Sequence, residues 1–390
     1  MRKSPMLTFS IEEYETRIGK LLKEMNNSGL DAVILTSDEN TFYFSGFRSI
    51  VWCSKVSTPA TLVVTKDGHI SLITSQGGAH TAAYTSCVKD IRTYGDKRYP
   101  SYTDAIVSPL EERGLAKGKI GFEFGEGHKI HLNYTAMTSL FEKLAGAEKK
   151  DAAKALWNVR SVKSSAEIEI IRKACSINET CIMKGFSKLR EGMTEMDLYA
   201  VIMSEYMLMG SDSALPLGLR AGSERYSQGN CPPSHRPIMK GDIILVDGGP
   251  IYKGYYSDII REAVIGAPTA HQQDVFDVAR EACYKGIETV KPGIPVSEVC
   301  KAVDKFLDES KYAPLNVYKN WCGHSIGVGV HEYPMLDTKT DEILVPGMVF
   351  SIEPYIYEEN VGSLGVEENI LVTETGCEVL TPSDSRLLIL

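Results

Sequence analysis

The segment Ile243-Ile244-Leu245-Val246-Asp247-Gly248-Gly249-Pro250-Ile251-Tyr252-Lys253-Gly254-Tyr255-Tyr256-Ser257-Asp258-Ile259-Ile260 decides how the second half of this chain folds. Four consecutive apolar residues read as a short buried strand. Pro250 to Gly254 carry turn chemistry, and Tyr255 to Ile260 read as the returning strand. Such a hairpin lets Asp247 and Asp258, eleven residues apart, project to one face.

Three further segments each place a polar side chain beside an apolar strand or in a glycine-rich loop. His324 lies in Cys322-Gly323-His324-Ser325-Ile326-Gly327, where the glycines allow close backbone approach. Glu353 follows Met348-Val349-Phe350-Ser351-Ile352, and Glu367 opens Glu367-Glu368-Asn369-Ile370-Leu371-Val372-Thr373. Alone, an Asp after a strand is ordinarily a turn residue or helix cap, and a single His is ordinarily a hydrogen-bonded structural residue. Burial together with charge alters that reading. Asp247, Glu353 and Glu367 adjoin strongly apolar residues, where an uncompensated carboxylate costs several kcal/mol. Four carboxylates gathered in one place repel and take up protons, whereas two divalent cations neutralise them. One imidazole with four carboxylates makes an oxygen-rich shell suited to manganese, with cobalt, zinc and iron as further candidates.

The rest of the chain frames this set. Its 390 residues predict two or three domains, and 43% apolar with 24% charged residues is ordinary for a soluble globular protein. Residues 1–155 mix helix-like and strand-like stretches, including the hairpin Ala60–Thr65 and His69–Thr74 about Lys66-Asp67-Gly68, and read as an α/β domain. Residues 156–390 read as an α+β domain, entered through Ser164-Ser165-Ala166-Glu167, a capping box, and an apolar stripe of Ile168, Ile171, Ala174, Ile177 and Cys181. Helices are expected over 196–209, 272–290 and 296–310. A net charge of −9 argues against a nucleic-acid partner. There is no signal-peptide pattern and no apolar run long enough for a membrane span, so a cytoplasmic protein with no membrane partner is expected. The nine scattered cysteines, without CxxC pairs, read as buried thiols.

The order Asp247, Asp258, His324, Glu353, Glu367, carried by VDGGPIYKGYYSDIIRE, GHSIGVGVHEYP, PGMVFSIEPYIY and VEENILVTETG, resembles the pita-bread metallopeptidase family of creatinase-, prolidase- and aminopeptidase P-like proteins. RSVKSSAEIEIIRKA resembles that family's first catalytic-domain helix, and NTFYFSGF a segment of its N-terminal domain. The resemblance implies an α+β pita-bread C-terminal catalytic domain with a smaller α/β, creatinase-like N-terminal domain. It implies two metal ions bridged by Asp258 and Glu367, one held by Asp247 and the other by His324 and Glu353. Glu353 is then the general base, and His331 stabilises the oxyanion at the substrate carbonyl. A homodimer is implied, with Arg48 clamping a substrate carboxylate.

The expected activity is Xaa-Pro dipeptidase- or aminopeptidase P-like cleavage of small peptides. Three positions depart from the peptidase pattern. Asn230 stands where relatives carry a histidine, with His235 at the neighbouring Asp position; Asn320 replaces another histidine, and Gly365 replaces an arginine. These leave the ligand set intact while altering the expected pocket. They support an alternative: a hydrolase or lyase of a small non-peptide metabolite, creatinase-, ectoine hydrolase- or dimethylsulfoniopropionate lyase-like, on the same fold.

Overall fold

A computed structural model describes residues 1–54, 58–229, 231–381, 383 and 385–390. The chain divides into two compact units, Met1–Arg160 and Ser161–Leu390.

The first unit is built on a six-stranded sheet in the order Asp90–Thr93, Ile70–Thr74, Ala60–Thr65, Ala32–Leu35, Lys119–Phe122, Glu148–Asp151. The expected hairpin is present, with Leu62 opposite Leu72. Ala32–Leu35, buried at all four positions, pairs antiparallel with Ala60–Thr65 and parallel with Lys119–Phe122. The edge strand Glu148–Asp151 has the sequence EKKD and no buried residue. Charged residues at a sheet edge discourage pairing with other chains, and they also erase the alternation by which a strand is recognised. After it, helix Ala153–Arg160 packs on helix Ile11–Asn27, which is why the first unit runs to Arg160.

NTFYFSGF forms a helix, Asp38–Ser45, capped by Ser37 and closed by Gly46 in the left-handed conformation. Its start is fastened by Glu123, just past Lys119–Phe122. Glu123 accepts hydrogen bonds from the Thr36 amide (2.6 Å) and hydroxyl (3.0 Å), the Ser37 amide (3.2 Å) and hydroxyl (2.5 Å), and Asn40 Nδ2 (2.7 Å). Asn40 Oδ1 in turn accepts from Arg160 Nη1 at 2.8 Å. A buried carboxylate is tolerable because every donor is aimed at it.

In the second unit, helix Ser165–Lys188 begins with the expected capping box, Ser164 bonding the Glu167 amide and Glu167 the Ser164 amide. Its buried stripe includes Ile170, Ile171, Ala174, Ile177 and Cys181; Ile168 is only half-buried. Two sheets carry the site. One has the order Leu388–Ile389, Ile259–Val264, Ile243–Gly248, Gly218–Ala221. The other runs Glu332–Asp337, Trp321–Ser325, Val349–Ile352, Glu368–Val372, Cys377–Val379. Helices Ser165–Lys188 and Glu195–Leu208 share a core with the first sheet, and Ala270–Thr289 and Ser297–Glu309 with the second. Arg261 links the two sheets from within: Nη1 donates to the Ile260 and Glu367 carbonyls, and Nη2 to Glu368 at 2.9 Å.

The Glu123 cluster makes a prediction. Glu123→Gln turns one acceptor oxygen into a donor facing other donors, and should cost about 1–3 kcal/mol of stability. Urea denaturation of the whole protein measures this; an unaltered midpoint would contradict the assignment.

Candidate metal centre

Strand register explains why residues remote in sequence meet. Asp247, next to last in its strand, lies opposite Ile260, and the final Gly248 faces Ile259, so Asp258 stands at the same end of the hairpin. Gly249 permits that turn: a Cβ there would sit 2.0 Å from the Ser257 carbonyl oxygen. In the other sheet His324 pairs with Ser351, and Ser351 with Asn369. Ile352 pairs with Glu368 in an antiparallel ladder, so Glu353 and Glu367 leave the two strands at one rim. Gly323 has φ +150°, and a Cβ on it would meet the Ser351 carbonyl at 2.0 Å, so only glycine allows His324 this close to the next strand.

All five expected ligands come together. Asp247, Asp258 and Glu367 form one group whose oxygens lie within 4.8 Å of one another; His324, Glu353 and Glu367 form a second, and Asp258, His324 and His331 a third. Glu367 belongs to two of these groups, as does Asp258. His324 Nδ1 lies 3.0 Å from the Ser325 carbonyl, which can only accept, so Nδ1 carries the proton. In the neutral imidazole Nε2 then presents a lone pair; it lies 3.0 Å from Glu353 Oε1 without hydrogen-bond geometry toward it.

Burial raises the carboxyl pKa values here. Asp247 is pushed up to about 7 by desolvation and then by Glu353. Asp258 and Glu367 are driven well above the carboxylate range, first by desolvation and then by neighbouring carboxylates. Asp258 Oδ1, Glu367 Oε2 and His324 Nε2 are buried with no hydrogen-bond partner. Three orphaned acceptors converging in one place are costly unless a cation fills the space, and that requirement fits a metal centre.

Sequence reasoning overlooked the residues that hold these side chains. Asn369 donates to the Asp258 carbonyl (2.7 Å) and to Ser351 Oγ (3.1 Å), and accepts from the Asp258 amide (3.2 Å) and Ser257 Oγ (3.0 Å). Ser351 in turn bonds Glu367 Oε1. Asn178 donates to the Gly248 carbonyl (2.9 Å) and Ser257 Oγ (3.1 Å), bracing the hairpin that bears Asp247 and Asp258. An Asn inside Glu368-Asn369-Ile370-Leu371-Val372 was the available signal, since a buried amide in a strand requires partners.

The ligand group opens on a cavity of about 770 Å³ whose wall includes Asp247, Asp258, Glu353 and His331. His331 is solvent-accessible, its ring edge-on to His324 with centroids 4.1 Å apart. Desolvation, then His324, lowers its pKa to about 4, so it is neutral at pH 7 and keeps one N–H to donate.

The other expected positions are placed differently. Arg48 is not in the group: in the first unit its guanidinium lies 4.8 Å over the Phe42 ring and Nη2 reaches Thr8 Oγ1 at 3.4 Å. Asn230 lies outside the described residues. His235 is exposed. Asn320, expected at the pocket, is exposed with φ +71°, a left-handed turn position that Asn tolerates well. At Gly365 a Cβ would meet Tyr355 Cδ2 at 2.7 Å, so the tyrosine ring occupies the room a side chain would need.

Comparison with known proteins identifies the family. Residues 169–374 match Metallopeptidase family M24, and residues 17–162 match the Creatinase/Prolidase N-terminal domain. A Xaa-Pro dipeptidase of Pyrococcus furiosus is 26% identical over 374 residues, 95% of this chain and 99% of that protein. An uncharacterised peptidase of Staphylococcus aureus is 29% identical, covering 94% and 99%. The solved Xaa-Pro dipeptidase of Bacillus anthracis superposes with TM-score 0.85 at 25% identity, over 97% of this chain and 100% of that one. The pita-bread catalytic domain and smaller α/β domain expected from the sequence are therefore the fold observed. The chain belongs to metallopeptidase family M24.

Proposed function

We propose that this protein is a metal-dependent Xaa-Pro dipeptidase acting on small peptides. The observation that carries the reading is the convergence of four carboxyl groups and an imidazole, with buried unpartnered acceptors, beside a cavity large enough for a dipeptide whose wall includes Asp247, Asp258 and Glu353. Xaa-Pro dipeptidases among the relatives, alike over nearly the whole chain, support the substrate class. In this reading two divalent cations would be held by Asp247, Asp258, His324, Glu353 and Glu367, with Asp258 and Glu367 as the carboxylates they would share. Manganese suits the oxygen-rich donor set best, ahead of cobalt, zinc and iron. Bound there, the cations supply Lewis acidity and bring the pKa of water toward neutrality.

The chain's own groups supply the rest. Glu353, on the cavity wall, accepts a proton from the attacking water and returns it to the departing nitrogen. His331 is the neutral donor that meets negative charge developing on the carbonyl oxygen as water adds to the carbonyl carbon, before the C–N bond breaks. Asn230 and Arg48 are further substrate contacts, Arg48 acting within a homodimer, and the working location is the cytoplasm.

Two outcomes are expected. Manganese-loaded protein should hydrolyse members of a panel of Xaa-Pro dipeptides, followed by release of proline; a sample that cleaves none of them sinks the dipeptidase reading. Asp258→Ala, which removes a bridging carboxylate, should lose bound metal and turnover together. Elemental analysis decides: a variant still carrying two ions per chain but inactive would refute the bridging role.

A further inference from the structure

We propose that Arg220 is the specificity-determining group of the cavity, recognising a free carboxylate on the substrate. This deepens the dipeptidase reading and rests on it. Arg220 lies in strand Gly218–Ala221, opposite Leu245, two residues from Gly218, which faces Asp247. It is 4% exposed, yet it lines the cavity that also bears Asp247, Asp258 and Glu353.

A buried guanidinium has five N–H donors and costs several kcal/mol unless they are met. Among the described residues Arg220 makes no ion pair; Nη2 reaches Ser363 Oγ at a long 3.3 Å, and Nε has no partner. Glu262 and Asp247 lie within electrostatic reach of Arg220, but Glu262 Oε1 accepts the Gly365 amide at 2.9 Å and, among the described residues, neither carboxyl forms an ion pair with the guanidinium. The guanidinium is instead held 5.3 Å from the centroid of the Tyr355 ring, whose hydroxyl is bonded to Ser363. This cation–π contact helps to hold the guanidinium while leaving donors for a ligand. The other cation on the wall, Lys319, pairs with Asp308 at 2.9 Å. Tyr318 and Trp321, with ring centroids 5.3 Å apart, make the adjoining wall apolar, which strengthens a charge-assisted bond formed there. A substrate carboxylate supplies a direct ion pair and two parallel acceptors for the open donors.

The test compares a Xaa-Pro dipeptide with its C-terminal amide on manganese-loaded protein, and measures proline and prolinamide binding by calorimetry. The wild type should prefer the acid by about 100-fold in kcat/KM, the size of one hydrogen bond to a charged group. Arg220→Gln should bring the acid-to-amide ratio toward one, mainly through KM, and abolish the preference for proline over prolinamide. Arg220→Lys keeps the charge but loses the fork, and should lower the ratio about tenfold, which serves if the Gln variant does not fold. Wild-type protein that treats acid and amide alike overturns the proposal, as does an equal loss on both substrates in the variants. If no peptide is cleaved but proline binding still depends on Arg220, the dipeptidase reading falls while carboxylate recognition stands.

Discussion

Asp247, Asp258, Glu353 and Glu367 are held against one another and against His324 in a place largely closed to water, an arrangement that is unfavourable for the polypeptide by itself. Desolvation and mutual repulsion press Asp247, Asp258 and Glu367 toward the protonated form, and acceptor atoms on Asp258, Glu367 and His324 find no donor. Polar groups are rarely left so at the centre of a domain. The cost is sustained because the surrounding structure over-determines where the side chains stand, and positive charge delivered to that place relieves it.

That over-determination resides in the two sheets of the second unit. The antiparallel hairpin about Gly249 returns Asp258 beside Asp247, and the ladder Ile352 opposite Glu368 puts Glu353 and Glu367 at one rim. Arg261 ties the two sheets together from inside. Asn369 then engages both the Asp258 backbone and Ser351, and Ser351 engages Glu367. Each link is a hydrogen bond in a dry environment, where a missing partner is expensive, so displacing one side chain disturbs several others. On the open side the cavity wall includes Tyr318, Trp321 and Tyr355 and carries Arg220, in cation–π contact with Tyr355.

Much of this was legible before any coordinates because it is written in local chemistry. Ala60–Thr65 and Ile243–Gly248 are apolar runs that only burial explains, and Ser164 with Glu167 announces a helix start by its spacing. The five candidate metal-holding residues were legible as carboxylates and an imidazole abutting apolar strands, in an order resembling a known family. Features that depend on tertiary neighbours were not. Glu148–Asp151 is a strand only because Lys119–Phe122 lies beside it, and its EKKD sequence carries no alternation. Helix Asp38–Ser45 is buried nearly all round, so it has no polar face to mark its period. The stripe through Ile168 shifts to Ile170 because a 24-residue helix meets different partners along its length. Arg220 reads as an ordinary surface arginine until the pairing Gly218 with Asp247 sets its strand beside the site. Asn320 reads as a change of pocket chemistry; the structure adds that it holds a left-handed turn position between Lys319 and Trp321, which line the cavity.

Placing a pair of cations among these side chains is the claim on which the rest hangs. Crystals of manganese-loaded protein, measured at the manganese absorption edge, test it most directly. The account predicts two anomalous peaks, both within bonding distance of Asp258 and Glu367, one also reached by Asp247 and the other by His324 and Glu353. Peaks elsewhere, or none at this cluster, would contradict it.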